Sequence, residues 1–217
     1  SLREHFIDSY NRGVIMYFTN LTYHMVPKYT KDNLVKDYLF NDSRDKKWFL
    51  TESQANTAVR KYLNKVPTAI LNAFQKEDWH IIVTNENLEQ KYRYNFEIYG
   101  VTDRDKKTIY IYSHQDALNY GLGHEIGHFL DEYLGFISDT EEWKKLHIGH
   151  KKLPKIPVFY FTESEESDYE YFADCFLLYL NDSTLLYDCN KHAYEIFEKI
   201  FTNIEAIVEI VSGITTY

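Results

Sequence analysis

Cysteine is scarce in this chain, with only Cys175 and Cys189 among 217 residues. That excludes a disulfide framework and a cysteine-rich metal cluster, and leaves one bond at most. Cys175 falls in a very apolar stretch and is expected as a buried free thiol. Excess positive charge is also missing. Lys and Arg number 24 against 33 Asp and Glu, a formal net charge of −9, so no basic stripe points to nucleic acid or an anionic membrane surface. A basic peptide is a compatible partner. No apolar run approaches the length of a membrane span. Prolines number 4 and glycines 8, and no linker, repeat or low-complexity tract divides the chain, which reads as a single domain over 1–217. No signal peptide is visible and the first residue is not Met, which reads as a mature or trimmed form. What is plentiful is aromatic surface, chiefly 20 Tyr, whose apolar body and polar tip suit both a core and a wet cleft.

The periodicity predicts an α+β order of helices, a small sheet, then helices. The part over 1–76 reads as mainly helical, with helices over 2–24, 52–63 and 66–76 and a short element near 33–40. Thr51-Glu-Ser-Gln54 is a helix start, and Pro67 suits a helix first turn. Over 77–217, β-branched and aromatic runs predict strands at 79–84, 96–102 and 108–114, with a charged turn at 103–107. A helix over 120–134 follows, then an irregular stretch over 138–162, then helices over 165–181 and 191–211.

The helix over 120–134 carries His124, Glu125 and His128 in the order His-Glu-x-x-His. Leu122, Ile126, Phe129 and Tyr133 form its apolar face, and His124, His128 and Asp131 form a stripe opposite, with Glu125 beside it. The i, i+4 spacing stacks the two imidazoles one turn apart, so both can point a nitrogen at one ion. Zinc prefers such donors, and an open position would hold a water of lowered pKa. Glu125 is then placed as general base.

A zinc hydrolase of this kind needs a third protein donor. In "SDYEYFADCFLLYL", 167–180, Phe172, Cys175, Phe176 and Tyr179 make a core face, while Glu170 and Asp174 share the other side one turn apart. Glu170 as ligand and Asp174 as acceptor for a ligand imidazole would satisfy both charges. Asp131 is expected to orient a ligand or a helix end in a similar way. Glu163, Glu165, Glu166 and Asp168 read as a solvated helix start.

"HEIGHFLDEY", followed 42 residues after His128 by "EYFADCF", resembles the anthrax lethal factor-like zinc endopeptidases, a group that includes the Pro-Pro endopeptidases. The resemblance is specific over about 96–181. It implies a zincin-like fold, zinc held by His124, His128 and Glu170, Glu125 as base, and a secreted bacterial protein, either a toxin's catalytic domain or a free protease. The family places an intermediate-stabilising Tyr seven residues before the glutamate ligand; here position 163 is Glu, and Tyr160 would take that role only across a three-residue insertion. A peptide substrate, paired along an edge strand within 96–102, and a monomer are the expected partners. Two alternatives stay open. One is a cytosolic regulatory metalloprotease of the ImmA/IrrE type, against which the 42-residue spacing counts. The other is a non-catalytic toxin binding domain with structural zinc, its fourth ligand drawn from His114, His147 or His150.

Overall fold

A computed structural model describes residues 34–40, 49–149, 153 and 167–214. The helix expected over 2–24 lies outside the described residues. Four strands form one sheet: β1 (Val35–Leu39), β2 (His80–Thr84), β3 (Gly100–Asp103) and β4 (Thr108–Tyr112), in the order β1-β2-β4-β3. The three pairings are not all alike. β2 runs parallel to both β1 and β4, and β3 runs antiparallel to β4 at the edge. The register Val101↔Tyr110 and Thr102↔Ile109 follows from the tight charged turn between β3 and β4.

Between β1 and β2 lie α1 (Glu52–Leu63) and α2 (Thr68–Lys76). α1 starts as its sequence requires: the Gln54 amide donates to Thr51 Oγ1 and the Thr51 amide donates to Gln54 Oε1, a reciprocal capping box. Pro67 stands at the N-cap of α2, one position before the expected first turn. α3 (Leu88–Tyr92) follows β2. After β4 a π-helical turn, Ala117–Gly121, runs directly into α4 (Leu122–Tyr133). α5 (Glu141–Ile148), α6 (Asp168–Cys189) and α7 (Lys191–Ile214) complete the described chain.

Four expectations need correction. The short element near 33–40 is a strand, made so by its parallel pairing with β2 rather than by its own sequence, in which Lys36 and Asp37 interrupt the apolar pattern. The stretch from 138 is not irregular throughout: Thr140 caps α5 by accepting from the Trp143 amide, and Trp143 is fully buried. The strand expected over 96–102 is confined to Gly100–Asp103. α6 also runs on to Cys189, past the expected end, across a non-helical residue at Asp182.

β4 is buried along its whole length, so its Tyr110 and Tyr112 point into protein as its isoleucines do. α4 packs on β3 and β4 on one side and on α6 on the other. Phe129 anchors α4 edge-on to Phe74 (4.9 Å) and Trp79 (5.4 Å). Trp143, Phe172 and Phe197 form a second aromatic cluster under α6. Cys175 is buried, and neither cysteine forms a disulfide. Among the described residues no helix is long and apolar enough to cross a membrane.

Candidate metal centre and active site

α4 is buried almost all round: beside Leu122, Ile126, Phe129 and Tyr133, the polar Glu125, His128 and Asp131 are also covered. On the histidine side α6 does the covering. The contact is close because Gly127 lacks a Cβ; one placed there would stand 2.9 Å from the Ala173 Cα and 3.2 Å from its carbonyl oxygen. With the two backbones that near, Glu170 and Asp174, on either side of Ala173, reach the histidine stripe. Ser167 caps α6 by accepting from the Glu170 amide, which sets Glu170 in the first turn, where the helix dipole favours a carboxylate.

Glu170 Oε2 lies 3.0 Å from His124 Nε2 and 3.5 Å from His128 Nε2. The donor atoms of His124, His128 and Glu170 all fall within 4.8 Å of one another. Donors about 2.0–2.1 Å from a tetrahedral zinc stand about 3.3 Å apart, so this set fits such an ion. The outer carboxylate is in place too: Asp174 Oδ1 lies 2.7 Å from His124 Nδ1, which leaves Nε2 to face the other donors. Burial alone would lower the His124 pKa, but Asp174 and then Glu170 outweigh it and hold the imidazole well above its ordinary value. Burial likewise works to raise the Glu170 carboxyl, and the two imidazoles overcome it, holding it well below the usual carboxylate range.

Glu125 turns the other way along α4. The Thr102 hydroxyl on the edge strand donates to Glu125 Oε2 at 2.7 Å. Gly100 makes room for it, since a Cβ there would stand 3.0 Å from Glu125 Cγ. Asp131 does not approach a ligand imidazole through a hydrogen bond. It accepts from the Ser138 amide (3.0 Å) and hydroxyl (2.5 Å) and so fastens the turn after α4, where Gly135 and Phe136 both take positive φ. Burial raises the Asp131 carboxyl to about 6.

Tyr160, Glu163, Glu165, Glu166 and His150 lie outside the described residues. His114 and His147 do not join the donor cluster. His147 is no ordinary solvated histidine: it is buried, 2.6 Å from Asp168 through Nδ1, and stacked on Tyr171 at 4.4 Å. Asp168 is correspondingly a bound residue rather than a free first-turn acid.

Sequence reasoning missed three residues that frame the site: Thr102, Tyr169 and Arg104. Tyr169 stacks on the His128 ring, centroids 4.0 Å apart and planes 13° apart. The Arg104 guanidinium carbon stands 4.6 Å from the Tyr169 ring centroid. Burial pushes the Tyr169 phenol well above its ordinary value, so it keeps its proton. The only signal in the sequence was adjacency to Glu170 for Tyr169; nothing local marked the other two. A groove of about 790 Å³ opens beside this group, lined by Tyr92, Tyr94, Thr102, Arg104, Phe136 and Tyr169 among others.

No family model matches the sequence, and no curated protein matches it. Among solved structures the fold is similar to that of the Pro-Pro endopeptidase PPEP-2 from Paenibacillus alvei. The TM-score is 0.56 at 19% identity, over 78% of this chain and 98% of that one. The likeness at this identity is one of fold.

Proposed function

We propose that the protein is a zinc-dependent endopeptidase of the zincin kind, with His124, His128 and Glu170 holding the ion and Glu125 as general base. The observation that supports it is the convergence of two imidazole Nε2 atoms on one carboxylate from a second helix, next to an edge strand. The similar fold of a Pro-Pro endopeptidase and the motif resemblance to the lethal factor-like group point the same way. When bound, zinc would lower the pKa of a water and polarise a carbonyl oxygen.

The chain's own residues do the rest. Among the described residues β3 is an end strand of the sheet, and an extended peptide pairs there as an added strand, with side chains reaching the groove beside Tyr94 and Phe136. Glu125, held by Thr102 at the inner side of that strand, takes a proton from the attacking water and returns it to the leaving amine. Asp174 keeps His124 in one tautomer and orientation. Tyr160 is the proposed donor to the developing oxyanion, by the motif resemblance. Export from the producing cell and a monomeric state belong to the same proposal.

Digestion of a peptide library, with sequencing of the new ends and metal analysis of the protein, tests the reading. Wild type is expected to hold about one zinc and cleave. Glu125→Gln is expected to keep zinc and lose turnover by about 10²–10⁴-fold. Equal metal content with no cleavage by either form would instead support a structural zinc in a binding domain.

A further inference from the structure

The two histidines are held in different ways. His124 Nδ1 has Asp174 at 2.7 Å, whereas His128 Nδ1 is buried and meets no hydrogen-bond partner among the described residues. A ligating imidazole is ordinarily aimed through that second nitrogen. For His128, ring contacts take its place: Tyr169 lies parallel to it at 4.0 Å, and His124 meets it edge-on at 4.6 Å and 88°.

Tyr169 is itself fastened. The guanidinium of Arg104, in the turn between β3 and β4, stands 4.6 Å from its ring centroid. Arg104 Nε is 3.3 Å from Glu132 Oε2, and Glu132 lies one turn after His128 on α4. The Phe136 ring, at 5.3 Å, closes over the same guanidinium. The circuit therefore leaves α4 at His128, passes through α6 and the β3–β4 turn, and returns to α4 at Glu132.

We infer that Tyr169 is a positioning residue for His128, with Arg104 and Glu132 clamping it, in the role that a carboxylate plays for His124. This rests on the metal reading of the site and not on the reaction. A stacked phenol restrains the tilt of the imidazole without adding a negative charge beside the ion, so the two histidines differ in donor strength as well as in support.

The test measures zinc affinity by competition with a chelator, together with the visible spectrum of the cobalt-substituted protein, for Tyr169→Phe, Tyr169→Leu and Arg104→Met. Thermal unfolding of the metal-free forms shows that each variant is folded. Phe keeps the ring and is expected to stay within about threefold of wild type, while Leu loses about 10–100-fold in affinity with an altered cobalt spectrum. Arg104→Met is expected to weaken binding in the same direction, and it carries the test if the Leu variant does not fold. Wild-type affinity in Leu or, failing that, in Arg104→Met overturns the inference, as does a Phe variant as weak as Leu. A wild type that holds no zinc overturns this and the metal reading together. A wild type that holds zinc but cleaves nothing sinks only the peptidase reading, and the affinities still decide this one.

Discussion

The residues of the His124, His128 and Glu170 cluster could be picked out one by one because each stands in a recognisable local spacing. His124 and His128 stand one turn apart, and so do Glu170 and Asp174. Thr102 and Arg104 were not legible, because a threonine in a strand and an arginine in a charged turn mean nothing until tertiary contact supplies Glu125 and Tyr169. Asp131 is the instructive middle case. Its place on the histidine stripe suggested that it orients either a ligand or a helix end, and its contact is Ser138, just past the end of the helix. Asp131→Ala strips two donors of their acceptor at a fully buried position. Urea unfolding is expected to show a loss of about 1–3 kcal/mol, with zinc affinity little changed.

Among the elements, α1 was readable from its reciprocal cap and α4 from its apolar face. β1 was not, since its strand character comes from β2 across the ladder. α5 hid behind the nearby prolines, although Thr140 and the acids Glu141 and Glu142 are the ordinary marks of a helix start. The packing of α4 on α6 yields the prediction proper to this scale. Gly127→Ala gains about 1 kcal/mol of helix propensity. It also drives a methyl group to 2.9 Å from the Ala173 Cα, backbone that cannot swing aside. Overpacking of that kind costs about 1–3 kcal/mol, so the net effect is destabilising. Chemical denaturation is expected to show it, along with weaker zinc binding as the helices part.

For the molecule as a whole, the α+β class was visible in the order of periodicities, but the strand order β1-β2-β4-β3 was not, because pairing partners are chosen by burial across the sheet. The donor set spans two helices, so an ion held by it stabilises the folded state as a unit. At free zinc about 100 times the dissociation constant the gain is about 2.7 kcal/mol. For a domain of this size that corresponds to a melting point about 5–10 °C higher than in chelator. A scan with and without chelator checks it, and equal melting points would count against the trio as a cation site.

The bare-backbone contact of Gly127 with Ala173 also dictates a sequence of events when the chain is first made. Neither helix alone carries the full set of three donors, and the carboxylate comes 42 positions later in synthesis than the second imidazole. On the proposed metal reading, a nascent polypeptide would have to finish docking these two segments before the trio could capture a cation tightly, and loading would come last, as the seal on a completed molecule rather than the seed of it.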